Sequence, residues 1–92
     1  MRIEWDEDKR QRNIEKHDFD FLDARLMFDG RPKVTGRSKY ADEARFLTTG
    51  LIFGLMYTVV WTQRDDAIRI ISARRARDAE KRAYRELHNG GA

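Results

Sequence analysis

Apolar residues recur along this chain with two different periods, and the switch between them divides it into elements. Ile3 to Trp5 is a short alternating run that predicts an edge strand. Asp6 follows as an N-cap, with Glu7 and Asp8 in the first turn, where carboxylates suit the positive end of a helix dipole. The helix it opens runs to Lys16 or His17. It is so polar, with little more than Ile14 to bury, that it must lie on the surface. Asp20, with Asp23 three residues on, gives a second start in a variant of the capping box. Phe21, Ala24 and Phe28, flanked by Leu22 and Leu26, then form an apolar stripe at helical spacing that Asp29-Gly30 ends.

Residues 31–43 are polar and carry Pro32 and Gly36, which predicts a loop with a short strand at Val34-Thr35. From Arg45 the period becomes strand-like. Arg45 to Gly50, Leu55 to Thr62 and Ala67 to Ala73 read as three strands, joined by a hairpin over Leu51 to Gly54 and a turn over Gln63 to Asp66. In the middle strand Leu55, Tyr57, Val59 and Trp61 share one face, and Met56, Thr58, Val60 and Thr62 the other. Apolar residues on both faces mark it as central. In the last strand Ile68 and Ile70 face one way, Arg69 and Ile71 the other. Asp78 to His88 closes the pattern as a helix, where Ala76, Ala79, Ala83 and Leu87 make a narrow small-residue stripe. Asn89-Gly90-Gly91-Ala92 is a stop and a frayed end. The expected architecture is one α+β domain over residues 1–92: a small antiparallel sheet of three to four strands, two helices before it and one after.

At 92 residues there is room for one core, and without cysteine that core has no disulfide or thiolate–metal staple. Forty per cent hydrophobic residues, ten of them aromatic, are too many for a disordered tail. The longest apolar stretch, Leu51 to Trp61, is about half a membrane span, and the N-terminus shows no apolar signal segment. A soluble cytoplasmic protein with no membrane partner is expected. Charge is uneven: residues 1–30 hold six basic and nine acidic side chains, residues 67–92 seven and three. The basic back end points to a polyanionic partner.

Several chemistries drop out. The two histidines are 71 residues apart, no carboxylate spacing resembles a metal loop, and no glycine-rich cradle precedes a helix. Neither Ser38 nor Ser72 sits in a nucleophile motif. No metal and no cofactor are expected. What remains is cationic. Arg64, Arg69, Arg74, Arg75, Arg77, Lys81, Arg82 and Arg85 lie within 22 residues, and the planar guanidinium suits phosphate oxygens. Lys81, Arg82 and Arg85 read as a solvated helix face, whereas Arg74, Arg75 and Arg77, at a strand-to-helix junction, read as an anion site. Tyr84 shares a helix face with Arg77 and Glu80. It either stacks on a base or donates a proton, or else ties the helix to the sheet. His17 either answers the last carbonyls of the first helix or transfers protons near neutrality. Glu43 is either an edge charge paired with Arg45 or a general base.

The order of residues resembles the BrnT toxins of bacterial toxin–antitoxin pairs. The matching stretches are Trp5-Asp6 with Lys9, Asn13 and Lys16-His17, then Phe21, Ala24 and Phe28-Asp29. They continue through Glu43-x-Arg45, Gly50 and Arg69-Ile70-Ile71-Ser72-Ala73-Arg74-Arg75-Ala76 to Glu80 and Tyr84. Two positions depart from that pattern: Asp18 stands where the family usually has glycine, and Arg77 where many members have a capping Ser or Thr. The resemblance implies a RelE-like fold, RNA cleavage, arrest of translation, and neutralisation by a BrnA-type antitoxin with a ribbon-helix-helix part. Operator DNA would be bound only through that complex. It also suggests roles: Arg64, Arg74 and Arg77 on the phosphate, Glu43 or His17 as base, Tyr84 as acid or stacking platform, and Arg69, Arg75, Lys81 and Lys9 on the RNA. The competing expectation is a non-catalytic module whose basic face binds nucleic acid or protein.

Overall fold

A computed structural model describes residues 2–38 and 43–89. The expected loop residues 39–42 and the stop at 90–92 lie outside them. Strand β1 (Arg2–Trp5) leads into helix α1 (Glu7–His17). The Asp6 carboxylate caps α1 by accepting from the Asp8 and Lys9 N–H groups, and Asp18 ends it in the left-handed region at φ 52°, ψ 39°. Asp20 accepts from the Leu22 N–H and opens α2 (Phe21–Ala24), which tightens into a 3-10 turn over Arg25–Phe28. With three residues per turn, Met27 follows Ala24 onto the buried side. Phe21, Ala24 and Met27 are therefore fully inside, while Phe28 is half-buried and Leu22 exposed.

The sheet follows in β2 (Lys33–Arg37), β3 (Arg45–Ile52), β4 (Leu55–Arg64) and β5 (Ala67–Arg75), and α3 (Asp78–His88) closes the chain. Its order is β1-β5-β4-β3-β2. The last four strands are antiparallel neighbours, but β1 lies parallel to β5, with Ile3 beside Ile68. The expectation of three to four antiparallel strands is thus corrected to five in a mixed sheet. The parallel pair joins residues 65 apart, and neither strand's local pattern encodes its neighbour's direction. The β3–β4 hairpin turns on two residues, Phe53 (φ 52°) and Gly54 (φ 79°), fewer than the expected four.

The register of β4 on β5 shifts between Val60, opposite Ser72, and Trp61, opposite Ile70, so Ile71 is a bulge residue. The consequence is large. Strict alternation would place Arg75 with Arg69, and Arg74 with Ile70. The bulge exchanges them, so Arg74 shares a face with Arg69 while Ala73 and Arg75 turn to the face of Ile70.

One sheet face carries the core. Phe19, Phe21, Ala24 and Met27 pack on Ile52, Val59, Ile70 and Ala73, ringed by Trp5, Phe28, Tyr57 and Trp61. Phe19 stacks on Tyr57 with centroids 3.8 Å apart. Where the 3-10 turn crosses β3, a Cβ on Gly50 would lie 2.7 Å from the Met27 sulfur and 3.1 Å from the Pro32 carbonyl, so any larger residue there must displace the buried Met27 side chain. On the opposite face α3 packs against β2 and β3 through buried Tyr84 and through Glu80. The Glu80 carboxylate accepts from the Thr58 hydroxyl at 3.0 Å, and that hydroxyl in turn meets Thr49 at 2.7 Å.

Candidate functional site

Helix α1 is pinned to the sheet by one amide. Buried Asn13 donates through Nδ2 to the Phe19 and Ala73 carbonyls, both at 2.8 Å, and accepts the Ala73 N–H at 3.1 Å through Oδ1. The side chains flanking Asn13 by three or four residues, Lys9, Lys16 and His17, are thereby held over β5. With Arg12, Ile71 and Ser72 they line a hollow of about 360 Å³. A second hollow, of about 180 Å³, lies beside it on the half of the sheet away from the Phe53 turn, lined by Lys9, Glu43, Arg45, Thr62, Arg64, Arg69, Ile70 and Ile71. Lys9 and Ile71 belong to both, so the two form one open, cationic trough between α1 and the ends of β3 and β4.

Its charges differ in their freedom. Arg69 is held at 2.7 Å by Glu4, whose carboxyl is brought below its ordinary pKa first by that hydrogen bond. The Thr62 hydroxyl donates to the Ala44 carbonyl at 2.7 Å and so fixes the segment bearing Glu43 and Arg45 against β4. Arg45 Nε is 4.0 Å from Glu43 Oε1, and its buried N–H has no hydrogen-bond partner among the described residues. No carboxylate pairs with Lys9 or Arg64 among the described residues. A buried donor without a partner is costly, and a phosphate oxygen would satisfy it. Burial lowers the His17 pKa below the usual 6.5, and the charges of Lys16 and Arg74 push the same way, both favouring the neutral ring.

The trough therefore gathers Lys9, His17, Glu43, Arg64 and Arg69 of the residues singled out from the sequence. The others go elsewhere. Arg74 borders the trough but is locked in a two-pronged pair with Glu80 at 2.8 and 2.9 Å. Burial alone would raise the Glu80 carboxyl. The Arg74 guanidinium, the Arg77 N–H and the Thr58 hydroxyl overcome this and hold it at about 2. Arg75 lies on the core face, 5.6 Å over the Tyr57 ring, and Arg77 is the exposed N-cap of α3. Lys81 lines neither hollow. Tyr84 is buried under α3 with His88 against it at 4.7 Å and lines neither hollow. The expected arginine pocket at the β5–α3 junction is thus corrected: one of its members is paired, one faces away and one caps a helix.

Three trough residues escaped the sequence reading as site residues: Arg12, Lys16 and Arg45. The first two were legible in the helical spacing with Lys9 and Asn13. Arg45 was not, because only its pairing with Thr62 across β4 brings it beside Arg64.

The family model described as the ribonuclease toxin BrnT of type II toxin–antitoxin systems matches residues 5–80. The chain belongs to this family. No curated protein matches it. The BrnT match begins at Trp5 and ends at Glu80, and so takes in α1, the whole trough and the Arg74–Glu80 lock. Among the described residues no three His, Asp or Glu side chains gather as a metal site, and no helix is long and apolar enough to cross a membrane.

Proposed function

We propose that this BrnT chain cleaves RNA without a metal ion, in the trough between α1 and the ends of β3 and β4. One observation carries the reading: six cations, Lys9, Arg12, Lys16, Arg45, Arg64 and Arg69, line one open strip, and the proton-transfer groups besides lysine among the described residues lining it are Glu43 and His17. The scissile phosphate sits in the smaller hollow, where Arg45 Nε, Arg64 and Lys9 surround it and stabilise the charge of the phosphorane. Glu43 takes the proton of the ribose 2′-OH, and O2′ attacks phosphorus to give a 2′,3′-cyclic phosphate. The P–O5′ bond breaks, and the leaving oxygen takes a proton from the Lys9 ammonium. His17, Lys16 and Arg12 receive the flanking nucleotide in the larger hollow. The RelE-like reading of the fold, arrest of translation in the cytoplasm, and neutralisation by a BrnA-type antitoxin that alone brings operator DNA rest on the family resemblance.

The test is a short labelled RNA incubated with the pure protein in EDTA. Cleavage is expected to persist, to fall at least a hundredfold in Glu43→Gln with RNA affinity retained, and to change less than tenfold in His17→Gln. Lys9→Ala and Arg64→Ala should each weaken binding and lower the slope of log K against log[salt] by about 0.7. Salt-sensitive binding without any cleavage would instead establish the non-catalytic module. Loss of cleavage in EDTA, restored by a divalent ion, would end the metal-free mechanism.

A further inference from the structure

The β2 edge of the same sheet carries a feature the trough does not use. The Ser38 N–H donates to the Arg45 carbonyl at 2.9 Å, which fixes the ladder: Ser38, Gly36 and Val34 bond to β3, and Lys33, Thr35 and Arg37 turn their backbone groups outward. The 2.9 Å contact between the Thr35 and Thr48 hydroxyls, expected of a close non-hydrogen-bonded pair, agrees. As β2 is the last strand of the sheet, these outward groups form an open edge. His88 Nε2 meets the Lys33 carbonyl at 2.8 Å, leaving Thr35 and Arg37 as the open rungs among the described residues. Directly beneath α3, that edge borders an apolar groove of about 280 Å³ whose walls are Val34, Leu47, Ala79 and Ala83. The small-residue stripe of α3 thus leaves a slot beside an unpaired strand.

We propose that this slot takes an extended segment of the protein antitoxin, added as a sixth strand on β2. The segment would pair with the Thr35 and Arg37 backbone groups and drop alternate apolar side chains against Ala79 and Ala83. Charge selects its chemistry. Among the described residues, Glu80 is the one carboxylate lining the groove and is already bound by Arg74, and Arg37 has no carboxylate partner. An acidic segment alternating with apolar residues therefore fits, whereas a second copy of this chain would set the two Arg37 side chains near each other. The proposal rests on membership of a toxin–antitoxin family and not on the cleavage site. Its test reads antitoxin binding, so a failed cleavage reading leaves it standing.

The experiment uses the full chain co-expressed with its cognate antitoxin. Hydrogen exchange at the Thr35 and Arg37 amides, open in the free toxin, should slow at least tenfold in the complex. Ala83→Glu, an exposed helix position, should weaken antitoxin binding at least tenfold by filling the slot with like charge, and Arg37→Pro should do so by removing a rung. RNA cleavage should be unchanged in both. Unprotected amides in the complex would overturn the proposal, even if Arg37→Pro did not fold. So would protection of those amides by RNA alone, or a toxin dimer that Ala83→Glu dissolves while antitoxin affinity stays unaltered.

Discussion

Replacing Glu80 by Gln tests the electrostatics that shape the edge of the trough. The carboxylate accepts two bonds from Arg74, one from the Arg77 N–H at 2.8 Å and one from Thr58. Glutamine has the same shape, but its amide N–H₂ would meet a guanidinium donor and leave Arg74 without its counter-charge. Holding the carboxyl at about 2 instead of the ordinary 4.5 corresponds to roughly 3 kcal/mol of stability by linkage. The two side chains are only 13% and 19% exposed, so solvent screening removes little of this. Because the folded-state pKa is the lower one, the contribution is complete above the unfolded value of 4.5 and fades as pH falls towards 2. At pH 3 about half remains. Urea unfolding followed by the fluorescence of Trp5 and Trp61 should therefore show Glu80→Gln less stable by about 2–4 kcal/mol at pH 7, and by about half as much at pH 3. A gap that is the same at both pH values, or below about 0.5 kcal/mol at pH 7, would refute the assignment of this pair.

The two departures from the BrnT pattern make further predictions, because both fall at helix ends. Asp18 adopts φ 52° at the end of α1, so Asp18→Gly should stabilise by about 0.5–1 kcal/mol and raise Tm by several degrees in a thermal melt. Arg77 has the extended φ, ψ of an N-cap but no side chain that can accept a bond, so Arg77→Ser should add about 1 kcal/mol in urea unfolding. If Arg77→Ser lowers cleavage instead of only raising stability, the guanidinium acts on RNA after all. Asn13→Ala strips the amide that joins α1 to β5 and leaves buried backbone groups unpaired; a loss of about 2–4 kcal/mol is expected, with faster amide exchange along α1. Unchanged exchange there would mean that packing alone seats the helix.

Local chemistry wrote much of this molecule into its sequence. Asp6, Asp20 and the acidic first turns mark where helices start, because a capping carboxylate and a helix dipole act over a few residues. The alternation in β4, with Tyr57, Val59 and Trp61 on one side and Thr58 and Thr62 on the other, holds because side-chain direction follows from the pleat. Even the edge strand at Ile3 and the short strand at Val34 were legible. What lay beyond reach were relations between distant segments. The parallel seat of β1 on β5, the 3-10 tightening that puts Met27 inside, and the Ile71 bulge all depend on what packs opposite. The bulge decided the fate of the arginine cluster: a single unpaired residue sends Arg74 to Glu80 and Arg75 to Tyr57. The cationic strip arises in its place where α1, anchored by Asn13, brings Lys9 beside Arg45 and Arg64. Those residues are up to 55 positions apart, and only the pairing of strands carries them together.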